Sequence, residues 1–145
     1  MKLKENLANE FLDWICFNLL IGNNDSHSKN ISLLFQDGKN ELAPFYDLVC
    51  TAIYSTLKKD FAFIIGDRTD FSQMGSNQFN QLEKKLQMKP GTFHQRMNAV
   101  MARVETKKDT TAELIKSQFS KAKIAFRISD LIENRIKGLR HQGVR

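Results

Sequence analysis

The sequence predicts a mainly helical domain of the α+β class that carries one small β-hairpin in its N-terminal third. Three observations support this: an apolar stretch over residues 7–21, an Asp-Gly turn between two short apolar runs, and apolar stripes at helical spacing in the second half. With 145 residues, 41% of them hydrophobic, the chain has enough material for one compact core. We therefore expect a single domain over residues 1–145.

The first predicted element is a helix over residues 7–21 that ends at Gly22. Its apolar residues fall on nearly every side of the helical wheel, which is typical of a helix buried by its neighbours. Asp13 and Asn18 interrupt the stretch, so it is not the uninterrupted run of ~20 apolar residues that spans a membrane. The first ten residues turn polar before any signal-like apolar core, so we expect a cytoplasmic protein without membrane contact.

A β-hairpin is predicted next, from "ISLLF" and "ELA" joined through Asp37 and Gly38. Asp-Gly between apolar runs favours a tight hairpin because both residues tolerate positive φ. Pro44 disfavours helix at the preceding residue, so the chain is expected to leave the strand there. The later segment "FAFIIGD", at 61–67, is β-like in composition.

Helical spacing fills the remainder of the chain. Stripes predict one helix around residues 79–86 and a second over 93–104, separated by Pro90 and Gly91. "TTAE" at 110–113 has the pattern of a capping box and predicts the start of a third helix. The stripe over 128–139 predicts a fourth helix, either separate from the third or continuous with it.

The net charge of +6 is concentrated near the C-terminus. Residues 1–104 carry 12 basic and 11 acidic side chains, whereas residues 105–145 carry 10 and 5. A basic face of this kind binds nucleic acid or an acidic partner, or is simply a solvated helical surface. The basic residues lack interleaved stacking aromatics, which makes direct DNA contact the weaker alternative.

The loop "NNDSHSKN", at 23–30, concentrates polar chemistry directly after the apolar helix. Protein kinases place a catalytic Asp five residues before a magnesium-binding Asn, and a second metal-binding Asp follows a hairpin. Asp25 and Asn30 have this spacing, and Asp47 follows the predicted hairpin. Lys29 is a candidate for neutralising phosphate charge, and His27 for contacting the phosphates or packing the loop.

Plainer interpretations of the same residues stay open at this point. An Asp, Asn and Ser loop after a helix is often turn chemistry, in which short side chains bond the local backbone. His27 has no second ligand at a spacing that zinc sites use. Tyr46 is interpretable as a core anchor, and no Walker loop, dinucleotide fingerprint or nucleophile elbow is present.

Two motifs together resemble the C-terminal domain of the HipA family, the serine/threonine kinase toxins of bacterial toxin–antitoxin systems. They are "GNNDSHSKNISLLF" and "LAPFYDLVCTAIY", which match the family pattern G-x-x-D-x-H-x-K-N-φ-S, a hairpin, and L-x-P-x-Y-D. Residues from about 75 onward are only compatible with the family. The resemblance implies a protein-kinase-like C-terminal lobe in which the hairpin connects the catalytic and metal-binding loops.

Carried over by position, the resemblance implies a role for seven residues. Asp25 is the implied catalytic base, and Asn30 and Asp47 are the implied Mg²⁺ ligands. The implied ATP-binding residues are His27, Ser28, Lys29, Asn30, Tyr46 and Asp47. The implied partners are a protein substrate and an antitoxin, with DNA contact only through such a complex.

The resemblance also raises the question of the N-terminal lobe, which in kinases supplies a glycine-rich loop and a phosphate-gripping lysine. Nothing in "MKLKEN" resembles that lobe. Three explanations stay open: a split kinase completed in trans by a separately encoded lobe, a truncated remnant, or a lobe retained as a binding module. For the chain alone we expect weak ATP binding and barely detectable phosphotransfer.

Overall fold

The computed structural model describes residues 2–144 and confirms the mainly helical α+β prediction. The described chain contains four α-helices and two antiparallel hairpins, the second of which adds a partner to the strand expected at 61–67. The helices are α1 (Lys2–Ile21), α2 (Ser76–Lys85), α3 (Thr92–Gln118) and α4 (Lys123–His141), and the strands are β1 (Leu33–Gln36), β2 (Lys39–Leu42), β3 (Asp60–Ile65) and β4 (Arg68–Asp70).

Helix α1 lies at the centre of the fold, packed against α3 and α4. It begins at Lys2, five residues before the predicted start, and ends at Ile21 as predicted. Leu12 and Leu19 share one face of the helix and Trp14 lies on the opposite side, yet all three are buried, as expected for a helix covered by neighbours on more than one side. None of the helices among residues 2–144 has the length and hydropathy to cross a bilayer.

Gly22 ends α1 and allows a second segment to approach it closely. Its φ of +73° lies in the left-handed region, and a Cβ at this position would lie 2.7 Å from the Cβ of Ala52.

Arg135 of α4 also contacts the end of α1. The carbonyl oxygen of Leu19, in the last turn of α1, accepts a hydrogen bond from Arg135. The guanidinium of Arg135 also lies 4.2 Å from the ring centre of Phe71, and burial lowers its pKa to about 10.

The first hairpin has the predicted turn. Asp37 and Gly38 both have positive φ, at +50° and +72°, and Gln36 pairs with Lys39 across them. The strands project from the body, and Phe35 is 76% exposed. The hairpin therefore returns the chain from the 23–30 loop to the segment around Asp47 without contributing to the core.

Glu83 connects α2 to the beginning of α3. Its side chain is 3% exposed, and its carboxylate accepts hydrogen bonds from the backbone N–H groups of Gly91 at 2.9 Å and Phe93 at 2.6 Å. Gly91 directly precedes α3 and Phe93 lies in its first turn, where N–H groups have no partner inside the helix. A buried carboxylate thus caps α3 and is itself satisfied.

The predicted start of a third helix at "TTAE" is wrong, because residues 110–113 lie inside the continuous helix α3. The core-facing stripe continues through Lys108, whose side chain is only 5% exposed, to the buried Ala112. Lys108 donates to Asp109 and to Glu133 of α4, and these bonds satisfy its charge. A search for apolar residues at helical spacing does not recognise this charged residue as part of the core-facing stripe. Helices α3 and α4 are separate elements, divided by residues 119–122.

Candidate functional site

The 23–30 loop is held in place by buried polar side chains. The backbone N–H of Asn24 donates to Thr51 Oγ1 at 2.8 Å, and its side-chain amide donates to the carbonyl of Lys58 at 3.0 Å. The buried hydroxyl of Ser26 donates to the carbonyl of Asn23 at 2.8 Å. The loop is consequently fixed to the 51–58 segment, and Ser26 stabilises its own turn.

Three residues link the buried end of α1 to the segment after the hairpin. Asn18, fully buried in α1, donates to the carbonyl of Trp14 and accepts from the Asn23 amide at 2.8 Å. The same Asn23 nitrogen donates to the backbone carbonyl of Asp47 at 2.9 Å. Asp47 has a φ of +55°, an uncommon value for a residue other than glycine. Asn23 therefore supports the backbone of Asp47 in a strained conformation.

Asn30 and Asp47 lie side by side, although 17 positions separate them in the sequence. Asn30 Nδ2 lies 2.8 Å from Asp47 Oδ2, and it makes a longer contact of 3.5 Å with the backbone carbonyl of Asp25. Asn30 is buried, whereas Asp25 and Asp47 are exposed. The structure thus brings the three candidate residues of the kinase-like pattern together at one surface.

The remaining candidate residues surround this group. The Tyr46 hydroxyl donates to the backbone carbonyl of Lys29 at 2.7 Å and lies 3.0 Å from the Ser32 hydroxyl, so Tyr46 braces the loop and is not a core anchor. Ser28 and Lys29 are exposed, in the short turn that ends at Asn30. His27 is half-buried, and its Nδ1 atom is buried without a hydrogen-bond partner among the described residues.

Asn30 and Asp47 have the donor atoms for a hard divalent cation. Mg²⁺ prefers hard oxygen ligands, which carboxylate and side-chain amide groups supply. Asn30 Nδ2 donates a hydrogen bond to Asp47 Oδ2, and a half-turn of the Asn30 amide would present its oxygen in place of its nitrogen. Within the described residues no three His, Cys, Asp or Glu side chains form a metal cluster. This amide and carboxylate pair fits Mg²⁺ better than zinc.

A model of the HipA-like C-terminal domain matches residues 2–108. The chain belongs to this family. The resemblance found in the two sequence motifs is therefore confirmed, and the match extends past them into α3.

Two curated relatives of this HipA-like domain have kinase names. It is 37% identical over 76 residues to a putative kinase Y4mE of Sinorhizobium fredii, covering 52% of this chain and 18% of the relative. It is 39% identical over 61 residues to the serine/threonine-protein kinase toxin HipA of Shewanella oneidensis, covering 42% of this chain and 14% of the relative. The domain thus aligns with less than a fifth of the length of either protein.

A solved structure supports the fold. The HipA-like domain superposes on a chain of the Shewanella oneidensis MR-1 complex of HipA, HipB and operator DNA with a TM-score of 0.79. The superposition covers 92% of this chain and 32% of the other, at 23% sequence identity. It shows that the HipA-like fold includes the helices after residue 108.

Sequence reasoning missed the residues whose hydrogen bonds hold the HipA-like site in place. Asn18, Asn23 and Thr51 make the buried and partly buried hydrogen bonds that fix the loop and the backbone of Asp47. Asn18 carried a detectable signal, because a polar side chain inside an apolar helix must find a partner when buried. The identity of that partner depends on how the loop folds back, which a sequence pattern does not specify.

Proposed function

We propose that this chain is the part of a HipA-type serine/threonine protein kinase that transfers the γ-phosphate of ATP to a protein hydroxyl. In this proposal Asp25 is the catalytic base, while Asn30 and Asp47 hold Mg²⁺. The observation that supports it best is the 2.8 Å contact between Asn30 and Asp47, beside the backbone of Asp25. A loop held together only by local turn chemistry has no need of this long-range pair.

The proposed roles follow from exposure and bonding. The carboxylate of Asp25 is exposed and makes no ion pair or hydrogen bond within the described residues, so it is free to accept a proton from a substrate hydroxyl. In this proposal the exposed Ser28 and Lys29, with His27 beside them, contact the phosphates, and the hydrogen bond of Tyr46 to Lys29 supports the loop backbone. When bound, Mg²⁺ neutralises charge on the phosphates during transfer.

A complete kinase cleft also needs a glycine-rich loop and a lysine that grips the phosphates. The 145 residues contain no such glycine-rich loop. We therefore propose that an N-terminal lobe completes the site, and that phosphotransfer by this chain without that lobe is barely detectable.

A chimera tests the proposal. This chain replaces the matching segment of the Shewanella oneidensis HipA kinase, and transfer of labelled phosphate from ATP to protein is measured. We expect phosphotransfer that Asp25→Asn abolishes without loss of folding. Asp37→Asn is the matched control, because Asp37 is an exposed aspartate in the hairpin turn. Full activity of the folded Asp25→Asn chimera contradicts the proposed base.

A second candidate is a binding module within a toxin–antitoxin assembly, either in addition to catalysis or retained by a remnant without activity. Its supporting observation is charge: the side chains of Lys107, Lys121 and Lys123 form no ion pair or hydrogen bond within the described residues, whereas Lys137 and Arg140 pair with carboxylates. Binding of DNA through an antitoxin complex would weaken steeply as salt is added. Salt-insensitive binding, or none, removes this candidate.

A further inference from the structure

A cavity of about 520 Å³ lies between α1, α3, α4 and the segment around Asp47. Ligand-binding pockets are commonly ~300–1,000 Å³, so this volume suits a small organic molecule. Phe45 and Leu48 contribute to its wall, from positions on either side of Asp47. The cavity is separate from the proposed phosphate site, since Asp25, Asn30 and Asp47 are not among its lining residues.

The wall of the cavity is mostly apolar. Phe17 and Ile21 come from α1, Val104 and Ile115 from α3, and Ile128 from α4, among others. A flexible hydrocarbon chain gains ~0.8 kcal/mol for each CH₂ group it buries against such a surface. The occupant is therefore expected to have a substantial apolar part.

Among the charged side chains that line the cavity, those without an ion-pair partner are positive. Asp13 is neutralised by Arg96 of α3, and Lys108 is neutralised by two carboxylates. Arg103 and Lys107 are exposed, line the cavity, and form no ion pair within the described residues. Two cations without partners therefore lie where an apolar cavity opens to solvent.

We propose that this cavity binds an amphipathic carboxylate with a hydrocarbon chain of fatty-acid size. The chain enters the apolar interior, and the carboxylate faces Arg103 and Lys107. The rim carries the charge opposite to the ligand's head group, while the wall matches its tail. A neutral apolar compound would leave the two cations without a counter-charge. A nucleic acid has no hydrocarbon chain that could fill the apolar interior.

Decanoate, titrated as a monomer well below its micelle-forming concentration, is the probe. Binding to the full chain is measured by calorimetry in the absence of ATP and Mg²⁺, so the outcome does not depend on the proposed kinase activity. We expect saturable binding at one site. Decyltrimethylammonium, which has the same tail and the opposite charge, is expected to bind roughly tenfold more weakly.

Two variants locate the ligand. The double variant Arg103→Glu, Lys107→Glu is expected to weaken decanoate binding by roughly tenfold, because two favourable surface charges become unfavourable. Lys121→Glu is the matched control, since Lys121 is exposed and does not line the cavity. Ala125→Phe places a ring in the cavity and should remove binding; circular dichroism checks its folding, and the surface double variant tests the proposal independently.

Three results would each overturn the proposal. The first is no saturable binding of monomeric decanoate, including the case in which the chain binds only anionic vesicles. The second is equal affinity for decanoate and decyltrimethylammonium, which indicates unspecific apolar binding. The third is an equal effect of Lys121→Glu and the double charge reversal, which places the ligand elsewhere.

Discussion

Replacing Asn23 by alanine tests how the loop and the Asp47 segment are joined. Asn23 is 2% exposed, and its Nδ2 atom donates to Asn18 Oδ1 and to the carbonyl of Asp47. The variant leaves the fully buried Asn18 oxygen without a partner, which costs about 1–3 kcal/mol, and loses a part-buried bond worth ~0.5–1.5 kcal/mol. We expect the free energy of unfolding to fall by about 2–4 kcal/mol.

Urea unfolding followed by circular dichroism measures this change. Asn40→Ala is the matched control, because Asn40 is exposed in β2 and its side chain makes no hydrogen bond within the described residues; we expect a change below ~0.5 kcal/mol. Asn23→Asp keeps the shape but removes the donor, so it should destabilise at least as much as alanine. An Asn23→Ala variant as stable as the control would show that this bridge does not hold the loop.

Three further predictions concern the scaffold. Glu83→Ala should lower the free energy of unfolding by about 2–4 kcal/mol, because the buried N–H of Phe93 and the N–H of Gly91 lose their acceptor, whereas the neighbouring exposed Lys84→Ala should be nearly neutral in the same urea experiment. Gly22→Ala should destabilise by about 2 kcal/mol or more in thermal unfolding, because the site combines positive φ with a close contact; unchanged stability would refute that reading. The hydrogen bond from Lys108 is the largest cause that lowers the pKa of Glu133, to about 2. The stability lost in Glu133→Gln should therefore be fully present above pH ~4.5 and vanish as the pH falls toward 2, and a pH-independent difference would contradict it.

Much of the helical architecture was predictable, because a buried helix imposes its apolar spacing directly on the sequence. The end of α1 at Gly22 and the turn at Asp37 and Gly38 were predictable for a related reason, since few residues adopt positive φ. The misreading at 110–113 shows the limit of local patterns. A capping box matches four residues, but α3 runs through them without a break, and the charge of Lys108 in the preceding turn is satisfied by Asp109 and by Glu133 of another helix.

The candidate site was predictable as a set of residues but not as a structure. The spacing of Asp25, Asn30 and Asp47 around a hairpin led to the expectation that they lie together, and the structure places Asn30 and Asp47 in contact. Their chemical roles stay predictions. The supporting bond from Asn23 to Asp47 was not predictable, because it joins positions 24 residues apart through a contact that exists only after folding.

The most direct test of the proposed kinase site is calorimetric titration of the purified chain with ATP, with and without Mg²⁺. The wild type is compared with Asp47→Asn and with Asp37→Asn, which makes the same change at another exposed aspartate of positive φ. The account predicts weak binding that requires Mg²⁺, persists in Asp37→Asn and is lost in Asp47→Asn. ATP binding that is indifferent to Mg²⁺ and to Asp47→Asn, or no binding by a folded chain, would contradict it.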